Sequence, residues 1–192
     1  MELMEAVSRR RSIRRFKDAP VPRELIEKLL AAAVLAPSAK NRQPWRFVVL
    51  RGAARAKLAR LMTEGAEAVG ARGEATHSCR HSARIVAQAP VTILVFNPEY
   101  RHKGLIFDHL TYNAPDIQSI GGMVQTLLLA GEDLGLGTLW VCDILYAYPL
   151  IREWLGREEE LVTAVCVGYP DETPEARPRT AWREITQWRE AE

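Results

Sequence analysis

Five arginines, Arg9, Arg10, Arg11, Arg14 and Arg15, crowd the start of this 192-residue chain, around Ser12 and closed by Phe16. Near the other end Arg177 and Arg179 flank Pro178 in a polar tail. A guanidinium is always charged, and its planar fork matches phosphate oxygens through paired hydrogen bonds. Each well-placed bond to a charged partner contributes about 1.5–3 kcal/mol net. A fixed phosphate group is therefore one chemistry these residues serve. A basic arm on nucleic acid and a solvated basic patch are two others. The residue types alone leave all three open.

A second segment, APSAKNRQPW at 36–45, gathers hydrogen-bond donors in a short turn. Pro37 stops a helix, Ser38, Lys40, Asn41, Arg42 and Gln43 follow, and Pro44-Trp45 leads into a strand. An ordinary helix-to-strand connection reads the same way. His77, Cys79 and His81 lie in HSCRH, but no third and fourth ligands follow at metal-binding spacing. There is no GxSxG elbow for a serine nucleophile and no Walker loop. LGLGT at 134–138 resembles a dinucleotide fingerprint in composition only, because it follows a helix rather than a strand.

These residues need a scaffold, and the hydrophobic pattern outlines one. A short helix is predicted over 2–8 and a second from Pro22 to near Pro37. RFVVL at 46–50 reads as a buried strand. Helices follow at about 53–70 and 78–88, then the strand VTILVF at 91–96. Residues 97–115 lack periodicity yet carry aromatic and apolar side chains, which favours a lid over a pocket.

The most apolar helix is predicted over 116–134, with Ile117, Ile120, Val124, Leu127 and Leu128 inward and burial nearly all round. Gly121 and Gly122 weaken that helix by about 1 kcal/mol each relative to alanine. Close approach of another backbone would offset this, as at a dimer interface. A strand at 138–142, a helix at 149–155 and a core strand at 161–168 complete the pattern. The tail 169–192, with Trp182 and Trp188, is expected to wrap a surface, since each ring needs about 150–250 Å² covered. The result is one α+β domain spanning 1–192, with a central mixed β-sheet flanked by helices.

With 47% apolar and 26% charged residues, the chain has the composition of a soluble globular domain. Its length is enough to bury about 70% of the unfolded surface. The net charge of +2 makes the arginine cluster a local feature, against a general nucleic-acid binder. No uncharged run approaches the roughly 20 residues that span a bilayer. The three cysteines, Cys79, Cys142 and Cys166, follow no disulfide or CxxC spacing. Cys142 and Cys166 fall in apolar, strand-like runs where a free thiol acts as a small hydrophobe. This usage, with no signal peptide, points to the cytoplasm.

Taken together, RRSIRRF at 10–16, APSAKNRQPWRF at 36–47, LGLGTLWVCDI at 134–144 and GYPDETPEARPR at 168–179 resemble the FMN-dependent nitroreductase family. The resemblance covers nearly the whole chain. It implies a nitroreductase-like fold and a homodimer whose tail wraps the partner, with FMN at the subunit interface. It also implies a ping-pong cycle from NADH or NADPH to a small acceptor such as a nitroaromatic or quinone. By the same resemblance Arg10 and Ser12 hold the phosphate or ribityl chain, with Arg11 in contact. Arg14 reaches the pyrimidine edge, and Arg177 and Arg179 close on the phosphate. Pro37, Ser38 and Asn41 would come from the other subunit, and backbone N–H groups near Val141 and Cys142 would face flavin N5. Ala39 and Cys142 depart from the family pattern, standing where serine and glycine are common. Flavin breakdown, dehalogenation, enoate reduction and a non-catalytic flavin-binding module are the alternatives.

Overall fold

The computed structural model describes residues 1–98 and 113–190. Most of the expected lid at 97–115 lies outside the described residues, although Asn97 ends a strand and Ala114 begins a helix. The chain runs α1 (Leu3–Arg9), α2 (Arg23–Ala33), β1 (Arg46–Arg51), α3 (Gly52–Gly70), α4 (His77–Gln88), β2 (Val91–Asn97), α5 (Ala114–Asp133), β3 (Gly137–Val141), α6 (Tyr148–Leu155) and β4 (Glu160–Gly168). Short 3-10 turns occupy Ala39–Asn41, Asp143–Ala147 and Trp182–Ile185.

The strands form one sheet in the order β1-β2-β4-β3. All three ladders are antiparallel, so the sheet is not mixed; the parallel pairing among the described residues is a single bridge between Ser12 and Thr138. Side chains alternate across a strand. On β2, Leu94 and Phe96 enter one core with α3, α4 and α6, while Val91, Ile93 and Val95 enter a second core with α2 and α5. Both faces are covered, which is why every residue of β2 is buried.

Strand β1 corrects an expectation. Its apolar run reads as buried, but it forms the sheet edge, and of its six residues only Leu50 is buried. An edge strand has a neighbour on one side only, so apolar composition does not guarantee cover.

Helix α5 corrects another. Ile120, Val124, Leu127 and Leu128 pack inward as expected, joined by Met123. Full burial of each large apolar side chain contributes roughly 1.5–3 kcal/mol. Ile117, however, is exposed, and with Gln118, Gly122 and Gln125 it forms an open stripe. Among the described residues, nothing comes within 4 Å of a Cβ built at Gly122, and Gly121 meets only the Trp140 ring at 3.8 Å. The described residues leave this face uncovered. The tail behaves alike: from Glu175 to Glu190 every residue is exposed, Trp188 at 73%.

Candidate functional site

After α1, residues 10–16 run extended along the free edge of β3. The Ile13 N–H bonds to the Thr138 carbonyl at 2.9 Å. Ile13 is buried over Gly137, where an added Cβ would sit 2.9–3.0 Å from its side chain. Successive side chains of an extended chain point to opposite sides. Burying Ile13 therefore turns Ser12 and Arg14 outward. Further on, Lys17 N–H bonds to Tyr169 C=O at 2.9 Å and Asp171 N–H to Arg15 C=O at 3.0 Å, zipping the loop to the start of the tail. The Glu172 carboxylate accepts the backbone N–H groups of Arg14 and Arg15, the latter at 3.1 Å, and pairs with Arg15 Nε at 3.4 Å.

This zipper brings both ends of the chain to one cleft of about 410 Å³, with Arg10, Arg11, Ser12 and Arg14 on one side and Arg177 and Arg179 on the other. The flanking arginines are spent on carboxylates: Arg9 on Glu5 and Glu132, Arg15 on Glu172. Among the described residues, the five arginines lining the cleft form no salt bridge. Arg11 Nη1 donates to the Ser8, Arg9 and Arg10 carbonyls at 2.7–3.0 Å, favourable at the negative end of a helix, and its Nε is buried without a partner. Glu175 is the one carboxylate lining the cleft among the described residues. Five positive charges against one negative repel each other and leave room for an anion. A phosphate monoester fits both the donors and the charge.

Arg14 also lines a second cleft of about 290 Å³, with His81, Ser82, Trp140, Cys142 and Asp143. The two clefts thus share a side chain and run along the free edge of β3. Backbone polar groups on an antiparallel strand alternate between its two sides. Thr138 turns its carbonyl outward, to Ile13. In the same phase Trp140 and Cys142 face outward, while Val141 faces β4. Of the two N–H groups expected at this place, the alternation puts that of Cys142 on the open edge and commits that of Val141 to the ladder.

Cys142 itself lies just past β3 and is exposed, not buried as its apolar neighbours imply. Beneath it, Ser82 Oγ donates to Asp143 Oδ2 at 2.5 Å. Buried Cys79 donates to the Met62 and Asp143 carbonyls at 3.4 and 3.6 Å. Burial, with the Asp143 charge, pushes the Cys79 thiol up to about 11. Cys79 is a core residue, and no cluster of metal-ligating side chains occurs among the described residues.

Pro37, Ser38 and Asn41 line neither cleft of their own chain. Their turn is strained: Lys40, Asn41 and Gln43 have φ of 52°, 51° and 50° without being glycine. Such residues cost of order 1–3 kcal/mol each and persist when their surroundings hold them. Ser38 Oγ accepts the Gln43 N–H at 3.0 Å, and Ser119 Oγ accepts the Ala39 N–H at 3.1 Å while donating to the Pro115 carbonyl at 2.6 Å. Arg42 donates from Nε and Nη2 to Asp116 Oδ1 at 2.9 and 2.6 Å. Asp116, in the first turn of α5, is 1% exposed. These bonds tie the turn to α5 and place Ser38 and Asn41 outside both clefts.

Sequence reasoning missed Glu172 and the Arg42–Asp116 pair. Glu172 holds mainly backbone N–H groups, which leave no side-chain signature. Arg42 and Asp116 are 74 positions apart. The DETP run beside GYP was the available signal for the first, and an acidic residue opening an apolar helix for the second.

Known proteins share this fold and much of this sequence. The sequence profile described as "Nitroreductase family" matches residues 7–169. A Methanothermobacter thermautotrophicus protein named "Putative NADH dehydrogenase/NAD(P)H nitroreductase" is 33% identical, with 92% of this chain and 82% of that protein aligned. A 5,6-dimethylbenzimidazole synthase of Rhodospirillum rubrum is 31% identical over 85% of this chain and 79% of its own. Among solved structures, a "putative nitroreductase in complex with FMN" from Desulfovibrio desulfuricans superposes with a TM-score of 0.77 at 27% identity, over 98% of both chains. A nitroreductase-like family protein from Bacillus cereus gives 0.80 at 26% identity, over 100% of this chain and 97% of that one.

Proposed function

The chain belongs to the nitroreductase family, and from that premise we propose that it is a homodimeric FMN oxidoreductase using NADH or NADPH. The observation that carries the reading is the cleft of five guanidinium groups, contributed from both ends of the chain, with no salt bridge among the described residues. Arg10, Arg11, Ser12, Arg177 and Arg179 hold the phosphate and ribityl chain. Arg14, shared by both clefts, lies toward the pyrimidine side of the ring, and the Cys142 N–H meets N5. The partner subunit's Pro37, Ser38 and Asn41 close the opposite side.

When bound, FMN supplies the two-electron chemistry, taking a hydride from NAD(P)H and passing electrons to a nitroaromatic, quinone or related acceptor. The residues of this chain bind, orient and tune. A cation at the pyrimidine side favours the negatively charged reduced ring, and a donor at N5 fixes its orientation. The open stripe on α5, the exposed Trp182, Ile185 and Trp188, and a turn that lines neither cleft of its own chain all support a dimer. The described residues include no helix long and apolar enough to cross a membrane. Three unpaired cysteines support placement in a reducing cytoplasm.

Anaerobic mixing of the FMN-loaded protein with NADH and with NADPH tests this. The flavin's visible absorbance should bleach and return when a quinone or nitroaromatic is added. Bound FMN that neither nicotinamide reduces would make the protein a flavin-binding module instead. The similarity to a 5,6-dimethylbenzimidazole synthase favours a second reading, flavin breakdown, because an isoalloxazine contains a dimethylated benzene ring. Loss of flavin from the reduced protein under oxygen, with 5,6-dimethylbenzimidazole appearing, would select it.

A further inference from the structure

Thr163 lies on β4, 2% exposed, diagonally across the sheet from Trp140. Its hydroxyl accepts the Trp140 indole N–H at 2.7 Å and donates to the Val141 carbonyl at 3.1 Å. The direction is forced. An indole nitrogen only donates, so the hydroxyl must accept from it, and the one hydroxyl proton is left for Val141.

The Val141–Cys142 peptide is trans, like every described peptide bond. In a trans peptide the C=O and N–H point to opposite sides. Holding the Val141 carbonyl toward β4 therefore aims the Cys142 N–H at the cleft that contains Arg14 and Trp140. Donors on a carbonyl also polarise the N–H of the same peptide, since linked hydrogen bonds strengthen one another. Trp140, 39% exposed at the cleft, anchors the far end of the chain.

We propose that Thr163 is a positioning residue: through the Trp140–Thr163–Val141 relay it orients and strengthens the Cys142 N–H as the donor to flavin N5. This rests on the FMN reading. Oxidised N5 has a free lone pair to accept that N–H, whereas reduced N5 carries a proton. The relay therefore favours the oxidised form and lowers the reduction potential.

The test compares Thr163→Val with Thr163→Ser and Trp140→Phe, reading affinities for oxidised and reduced FMN and the midpoint potential. Thr163→Val should bind oxidised FMN about threefold to tenfold more weakly, the scale of one hydrogen bond. Reduced FMN should be little affected, so the potential rises; tenfold corresponds to about 30 mV for a two-electron couple. Thr163→Ser should restore the wild-type potential, and Trp140→Phe should fall between. In the flavin-free protein, Thr163→Val should also move the Cys142 amide and Trp140 indole proton resonances.

Equal weakening of both redox forms would overturn the relay, because a merely structural loss acts that way. An unchanged potential and amide resonance in Thr163→Val would overturn it too. Wild-type protein that binds no FMN at all would overturn the underlying reading, a separate result from FMN binding that Thr163 does not influence.

Discussion

The arginine cleft and the turn at 37–43 are built by opposite means. The cleft is made of mutually repelling side chains, half-buried in the early loop and exposed in the tail, held together by backbone bonds and by Glu172. Among the described residues its five guanidinium groups form no salt bridge, which leaves room for a ligand's counter-charge. The turn is strained backbone, and its one guanidinium is paired with buried Asp116. Stability is lowered locally in both places, by charge repulsion in one and by backbone conformation in the other. Only the turn is compensated within its own chain. Removing a partner should therefore unfold the turn's surroundings but leave the fold around the cleft intact.

The largest effect should come from Asp116→Ala. Removing one member of a buried ion pair typically costs about 3–5 kcal/mol; Arg42, with 21% of its side chain exposed, can turn partly to water, so the low end of that range is expected. Chemical denaturation should show a loss of that size, and a change under about 1 kcal/mol would mean the pair is not holding the turn. Arg10→Ala and Arg177→Ala should do the reverse: little loss of stability, but FMN affinity down roughly 10- to 100-fold each, from about 1.5–3 kcal/mol per charged hydrogen bond. Titration of flavin fluorescence measures this. Equal loss of riboflavin affinity would place these residues somewhere other than the phosphate.

Gly137→Ala tests the support beneath the cleft. The new methyl would meet Ile13 at 2.9–3.0 Å and push the arginine loop off β3. Overpacking of this kind costs about 1–3 kcal/mol, so both stability and FMN affinity should fall. Wild-type FMN affinity in this variant would show that the loop is not seated by Ile13.

How much of this was legible in the sequence differs between the two regions for a physical reason. Arginine clusters are rare, and their charge on a balanced background singles them out, so Arg10, Arg14, Arg177 and Arg179 could be grouped before their meeting was seen. The turn's donors were visible as residue types, but its strain was not, because Lys40, Asn41 and Gln43 carry no glycine to announce positive φ. Helix α5 is legible as apolar, yet hydrophobicity does not say which of its faces the rest of the chain covers, and Ile117 lies on the open one. The apolar neighbours of Cys142 predict burial, whereas its exposure depends on β3 ending one residue earlier. The apolar run of β1 hid an edge for a related reason: strand order is a property of the sheet, not of the strand.

The smallest effect belongs to the core that α3, α4 and α6 form on one face of the sheet, which holds both buried cysteines. Burial pushes the Cys79 and Cys166 thiols up to about 11 and about 12. The folded protein thus holds these protons more tightly than the unfolded chain, whose thiols titrate near about 8.5. Their contribution is complete below that value and is lost as pH rises toward 11 to 12. Melting temperature should be insensitive to these groups at neutral pH and fall in alkali, less steeply in Cys166→Ala. A thiol reagent at neutral pH should label exposed Cys142 well before the other two.

The central claim is that guanidinium groups from both ends of the chain close on one phosphate, and the affinity ratio of FMN to riboflavin for the wild-type protein tests it most directly. The two ligands share the ring and ribityl chain and differ only in that group. Tighter binding of FMN by about 100-fold or more, a few charged hydrogen bonds' worth, is the predicted result. Equal affinity for the two flavins would contradict it.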